Sequence, residues 1–337
     1  MNSKNKILIT GAAGFLGSHL AEKLHNLGHT VVGIDNMMGG YEDNVIKGTE
    51  FHKLDCCDLP KIQEVMKGVD VVYHCAATAH EGLSVFSPYE ITKNNYLASV
   101  SIFTAAINNN VKRIVYCSSM ARYGDSKTPF TEDMEPNPID PYAISKVASE
   151  KVLANLCELN NIEYVIAVPH NIIGPRQRYD DPFRNVVSIM LNRMLQKKAP
   201  IIYGDGEQRR CFSYIDDCIS CLIPMMDQKN LHGEIINIGP DEEFVTVNKV
   251  AEICSNISGF NSTPIYKKDR PQEVKHALCS ADKARKLLNY ETKTSLRDGI
   301  IKTYDYIKNR GTKEFDYNIN LEIINDLTPE TWKKKEI

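Results

Sequence analysis

The chain of 337 residues contains no apolar stretch approaching the roughly 18 residues needed to cross a bilayer. A membrane-spanning helix is therefore not expected. It also lacks an excess of either charge, with 40 basic residues against 43 acidic ones and a formal net charge of −3. That balance does not suit a nucleic-acid or anionic-membrane surface, so the expected partner is a small molecule. Ten cysteines are present, but no paired C-x-x-C units with histidines at ligand spacing, and no metal site is expected. Cys218-Ile-Ser-Cys221 is the one such unit; it follows Asp216-Asp217 in a helical stretch and reads as two buried apolar cysteines one turn apart. There is no internal repeat and no low-complexity segment. The opening Met-Asn-Ser-Lys-Asn-Lys leads directly into an apolar strand and not into a cleavable signal, which sets the expectation of a cytoplasmic protein.

What is present begins with Gly11-Ala-Ala-Gly14-Phe-Leu-Gly17. This run follows Lys6-Ile-Leu-Ile-Thr10, of strand type, and precedes Phe15 to Gly28, where Leu16, Leu20, Leu24 and Leu27 recur at helical spacing. In such a strand, turn and helix, Gly11 and Gly14 bring the backbone close to a pyrophosphate at the positive helix end, and Gly17 allows close packing. A second strand, Thr30 to Ile34, leads to Asp35, a carboxylate placed to accept from adenosine ribose hydroxyls and to repel a 2′-phosphate. That favours NAD over NADP. Further strand candidates at Val69 to His74, Arg113 to Ser118 and Tyr164 to Pro169 alternate with helices, the pattern of an α/β protein with a doubly wound parallel sheet of Rossmann type. Substrate then binds beyond the carboxyl ends of the strands. The pattern loosens after Gly174. Residues 1–175, completed by about 208–239, are expected to form the dinucleotide-binding domain; 176–207 and 240–337 form a smaller, discontinuous α/β substrate domain.

Tyr142-Ala-Ile-Ser-Lys146 falls 23 residues after Ser119. On a helix this spacing puts phenol and ammonium on one face about a turn apart, so the cation is expected to favour the phenolate and lower the Tyr142 pKa. Tyr142 would then serve as a base for alcohol oxidation on a dinucleotide.

These motifs together resemble the extended short-chain dehydrogenase/reductase family, in its nucleotide-sugar epimerase/dehydratase branch, from about Lys6 to Tyr306. Asp55-Cys56 is similar to the family's adenine-contacting pair, His74-Cys75-Ala76-Ala77 to its strand-four cofactor motif, and Asn95 to the asparagine that opens the following helix. The resemblance also implies cofactor contacts from Phe15, Leu16, Asn36 and Pro169. Cys117-Ser118-Ser119-Met120-Ala121-Arg122-Tyr123-Gly124 and Asn171-Ile-Ile-Gly174-Pro175-Arg176-Gln177 match two further family stretches. Asn171 and Asn185 match substrate-contacting asparagines, Arg210 and Arg270 the two arginines that clamp a diphosphate, and Glu273 the carboxylate for the nucleotide ribose. Ser84 occupies the family's pocket serine. Ala277, seven places after Arg270, matches the position facing the sugar C2 substituent, where a small residue admits an N-acetyl group. The last 25 residues extend past the family core and either pack as an arm on the protein or its partner, or fray.

By that resemblance Ser119, Tyr142 and Lys146 are catalytic, the cofactor is NAD, and the reaction is inversion at C4 of a nucleotide sugar through a transient ketone, in a homodimer. The dehydratases and decarboxylases similar to this chain carry an acidic residue after the serine. Here Met120 and Ala121 stand there, and neither transfers protons. A reductase of 4-keto sugars using NAD(P)H would employ the same three residues; a non-catalytic dinucleotide-binding protein is the remaining class. Arg122 departs from the family and either reaches an anionic substrate group or points to solvent. His80 and Glu81 likewise either recognise a particular sugar or face solvent.

Overall fold

A computed structural model describes residues 4–337, so the first three residues of the expected dinucleotide-binding segment lie outside the described residues. Seven parallel strands form the central sheet: β1 (Lys6–Thr10), β2 (Thr30–Asp35), β3 (Glu50–Lys53), β4 (Val71–His74), β5 (Arg113–Cys117), β6 (Glu163–Pro169) and β7 (Ile235–Ile238). Their order is β7-β6-β5-β4-β1-β2-β3. The chain therefore reverses its direction of winding between β1 and β4, which opens a crevice at their carboxyl ends.

Both faces of the sheet are covered, which is why β1 is a continuous apolar run and not an alternating one. Ile7 and Ile9 face a core shared with helix α1 (Phe15–Asn26), whereas Leu8 faces the opposite core with α2 (Leu59–Val65), α3 (Ala98–Asn108) and α4 (Pro141–Asn160). Three later helices, α5 (Val186–Leu195), α6 (Ile215–Leu222) and α7 (Val247–Ser258), are followed by α8 (Leu296–Arg310). Helix α6 buries Cys218 and Cys221 in the core beside α1. Helices α5, α7 and α8 instead enclose a separate core around Leu191, Val250 and Ile300.

Pairing at the lobe boundary departs from the expected segments in two places. Arg209–Arg210 pairs antiparallel with Val245–Thr246 and parallel with His276–Ala277, so it is bonded to the smaller lobe. Ala281, Ala284 and Leu288 pack into the core of the larger one. We propose the two-lobe division with these two segments exchanged. β3 was not anticipated: its four residues Glu-Phe-His-Lys form a short, largely polar edge strand. The C-terminal extension packs on the protein itself, where Ile319 and Trp332 join Leu83, Phe86 and Phe183 in a small core. Among the described residues no helix is long and apolar enough to cross a membrane.

Candidate active site

The glycine turn closes against the next-door strand end. Gly11 has φ +71°, and a Cβ there would stand 3.0 Å from the Ala76 backbone, so Gly11 is required by both conformation and space. A Cβ on Gly17 would meet the Gly11 carbonyl oxygen at 2.1 Å. Close approach of α1 to the turn therefore demands glycine. No side chain caps α1 at Gly14, which leaves its first N–H groups directed at the cleft, a fit for a pyrophosphate. Asp35, the last residue of β2, is buried; its Oδ2 accepts from Ala13 N at 3.0 Å and its Oδ1 from Met37 N at 2.7 Å. Two of its roughly four lone-pair positions remain for ribose hydroxyls. Burial raises its pKa, opposed by those backbone donors.

A hydrogen-bond relay ties the crevice together. Ala76 N donates to Thr10 Oγ1 at 2.9 Å, Thr10 Oγ1 lies 2.7 Å from His74 Nδ1, and His74 Nε2 lies 2.9 Å from Ser99 Oγ. Ser99 donates in turn to the Asn95 carbonyl at 2.5 Å. One direction of donation satisfies every member, with His74 neutral and its proton on Nε2. Burial, with the nearby Lys146 charge, pushes the His74 pKa down to about 3. Asn95 does not line the cleft: its Oδ1 accepts from Thr78 N and its Nδ2 donates to Thr78 O, both at 3.0 Å. It is corrected from a cofactor contact to a clamp on the loop after β4. Gly11, Gly14, Phe15, Leu16, Asn36, Asp55, Cys56, Ala76, Ala77 and Pro169 all line one cleft of about 490 Å³.

The same cleft receives Ser119, Tyr142 and Lys146. Asp140 caps α4 by accepting from Ala143 N at 2.9 Å, and Pro141 is preorganised at the first helical position, so Tyr142 enters the helix in its first turn. Lys146 follows one turn later, as the spacing predicts. Its Nζ donates to the Cys117 carbonyl at 2.8 Å and lies 4.9 Å from the Tyr116 ring centroid. Burial lowers Lys146 to about 8. The expectation of a lowered tyrosine is corrected: burial pushes the Tyr142 phenol up, and the Ser119 hydroxyl only partly opposes this. Desolvation here outweighs the ammonium, which is turned toward Cys117.

Arg122 reaches neither substrate nor solvent. It is buried, with Nη2 3.0 Å from Glu150 Oε2 and Nε 3.1 and 3.2 Å from the two carboxylate oxygens, while Ser118 donates to the same carboxylate. Glu150 lies one turn beyond Lys146 on α4. No sequence signal announced this pair, because its partners are 28 residues apart on different elements.

Arg210 and Arg270 line the same cleft. Arg270 donates from Nε and Nη2 to both oxygens of Glu273, at 3.0 and 2.9 Å, so the expected ribose carboxylate is here an ion-pair partner. Arg210 donates only to backbone carbonyls, among them Val274 O at 2.6 Å. Asn171 and Asn185 line the wall, both at positive φ, with Asn171 donating to Cys211 O at 2.8 Å. Ala277 also lines it, in register with Arg210. Ser84 is corrected: it is fully buried away from the cleft, with its hydroxyl 2.7 Å from Glu81 O and 3.1 Å from Asp140 Oδ1, so it supports the α4 cap. His80, buried in the cleft wall, pairs with Asp181 at 2.7 Å and does not face solvent. Glu81 lines the cleft but is exposed at its surface, and crowding by the surrounding walls, reinforced by Asp140, raises its carboxyl pKa. Arg184, which sequence reasoning passed over, lines the cleft within electrostatic reach of Tyr142 and Lys146, and its only side-chain hydrogen bond is to Asn185 at 3.3 Å.

Two expectations follow. Glu150→Gln leaves the buried Arg122 guanidinium without a counter-charge and should cost about 3–5 kcal/mol in urea unfolding; a loss below about 0.5 kcal/mol would contradict this. Because the lowered Lys146 pKa means its ammonium is lost as pH rises through about 8, NAD affinity should fall between roughly pH 7 and 9. Calorimetry on Lys146→Met should show a flat profile across that window.

Comparison with known proteins agrees with this geometry. The family described as NAD-dependent epimerase/dehydratase matches residues 7–239. A putative UDP-glucose 4-epimerase of Methanocaldococcus jannaschii is 34% identical over 308 residues, covering 90% of this chain and 98% of that one. A UDP-N-acetyl-alpha-D-glucosaminuronate decarboxylase of Bacillus cytotoxicus is 29% identical over 320 residues, with 90% and 98% covered. Among solved structures, the UDP-glucuronic acid 4-epimerase of Bacillus cereus, in complex with UDP-glucuronic acid and NAD, superposes with a TM-score of 0.84 at 32% identity, covering 91% of this chain and all of that one. With its seven-stranded Rossmann sheet, glycine turn and Tyr142–Lys146 pair, the chain belongs to the NAD-dependent epimerase/dehydratase family of nucleotide-sugar enzymes.

Proposed function

We propose that the protein is a nucleotide-sugar 4-epimerase. One observation carries this reading: Ser119, Tyr142 and Lys146 line a single cleft together with Asp35, the uncapped start of α1, Arg210 and Arg270. NAD, when bound, supplies the hydride acceptor and donor. Tyr142 takes the proton from the sugar hydroxyl and later returns it, Lys146 stabilises the phenolate, and Ser119 hydrogen-bonds the oxygen that becomes a ketone. Met120 and Ala121 supply no group for elimination or decarboxylation, which favours epimerisation. Turning the ketone over within the cleft before the hydride returns gives inversion without net redox change. Tyr142→Phe should lower kcat by at least about 100-fold while leaving NAD affinity nearly unchanged. Consumption of one NAD(P)H per product by the unmutated enzyme would establish a reductase instead.

The sugar is read at Ala277. Its small side chain is buried at the cleft wall in the same apolar cluster as Met120, next to Ser119. On this reading the enzyme accepts 2-acetamido sugars as well as glucose-type ones. Ala277→Tyr should then reduce kcat/KM for UDP-N-acetylglucosamine relative to UDP-glucose by about tenfold or more, as expected for overfilling a packed pocket by about 1–3 kcal/mol. An unchanged ratio rejects the assignment. A second reading is favoured by Arg184, a cleft guanidinium without a carboxylate partner, which suits a hexuronate. The same panel distinguishes them, because turnover of UDP-glucuronate alone would select the second.

A further inference from the structure

Beyond helix α8 the chain runs from Gly311 to Ile337 with a single short helix, Glu330–Lys333, yet it is bonded at many points to the walls of the cleft. Asn318 Nδ2 donates to Met38 O at 2.6 Å, and Asp316 pairs at 2.6 Å with Arg178, which bonds the same Met38 carbonyl. Glu322 accepts from Tyr89 N and Glu90 N at 2.8 and 2.9 Å and donates its own N–H to Phe86 O. Asn318, Ile319 and Ile337 line the cleft directly. The arm thus lies along the cleft wall.

Its anchor is Trp332, the only tryptophan in the chain and 2% exposed. The indole stands edge-to-face with Phe183 at 5.2 Å and Phe86 at 6.0 Å, and its ring centroid is 5.9 Å from the Arg270 guanidinium carbon. Tyr203 lies 4.8 Å from the same carbon and is bound through its hydroxyl to Thr331 of the arm at 2.6 Å. Arg270 is therefore fixed from three directions: Glu273 takes Nε and Nη2, and the two aromatic rings pack against the guanidinium. Nη1 is left to the cleft, where a Cβ on Gly82 would already be 3.5 Å from it and 3.6 Å from the indole. An arm serving only to cover apolar surface would not need to contact this guanidinium.

We propose that residues 312–337 form part of the substrate site, with Trp332 a positioning residue that holds Arg270 for the diphosphate of the substrate. This deepens the nucleotide-sugar reading and rests on it. The test uses UDP and NAD titrated into the full chain by calorimetry, with Trp332 emission as a second signal. UDP should change the emission of the unmutated protein. Trp332→Phe, which keeps an aromatic ring in an aromatic cluster, should weaken UDP binding by about tenfold through loss of part of the cation–π contact. NAD affinity should stay within about twofold, and in an Arg270→Ala background the same substitution should have no further effect on UDP. Unchanged UDP affinity in Trp332→Phe would overturn the assignment, as would an equal loss in both backgrounds or a parallel loss of NAD. Absence of UDP binding by the unmutated protein would overturn the nucleotide-sugar reading and this assignment together.

Discussion

Helix α4 buries three ionisable side chains, Tyr142, Lys146 and Glu150, one turn apart on a single face, and the electrostatics of the site follow from that constraint. A buried charge is tolerated only when it is paired or neutralised. Glu150 solves its part with Arg122 and Ser118; Lys146 is held at a lowered pKa by burial, eased by nearby groups including the carboxylate; burial raises the Tyr142 phenol. Lys146 Nζ stands 6.0 Å from the Tyr142 ring centroid, so a positive charge is at hand for the phenol.

The α4 cap links this electrostatics to the loop after β4. Asp140 terminates the helix at Tyr142, Ser84 contacts Asp140, and Glu81 and His80 precede Ser84 in the cleft wall. The same loop begins at Ala76, held by Thr10 and His74, and is clamped at Thr78 by Asn95. A small displacement of the loop would therefore reach both the cofactor end and the base. That coupling gives the buried, neutral His74 a structural role that its place in the cofactor motif did not reveal.

Local features were legible in the sequence and long-range ones were not. The glycine turn, β1, β2 and the Tyr142–Lys146 spacing were readable because each depends on neighbours within a few residues: Lys6–Thr10 forms as its apolar run implies, and Asp35 ends β2. β3 carries no periodic signal because three of its four residues are polar, with Phe51 alone apolar; it pairs along the edge that β2 offers. Arg122–Glu150, His80–Asp181 and Arg270–Trp332 join residues that composition and spacing cannot associate. Ser84 shows the related failure, in which a motif position was identified while its side chain was turned by its neighbours toward a helix cap.

The balance between inversion and simple oxidation or reduction depends on whether the ketone leaves before the hydride returns. Ser119, Tyr142 and Lys146 treat both outcomes alike, so the distinction must lie in groups that retain the ligand. On the proposed reading those groups are the arginines assigned to the diphosphate and their cover: Arg210, bound to backbone carbonyls, and Arg270, fixed by Glu273, Tyr203 and Trp332. A rigid clamp on the diphosphate holds the nucleotide while leaving the sugar free to rotate about the linkage, whereas a rigid grip on the sugar itself would prevent inversion. Ala277, in the cleft wall, is small. A tight nucleotide end with a permissive sugar end is the division of rigidity that a 4-epimerase needs.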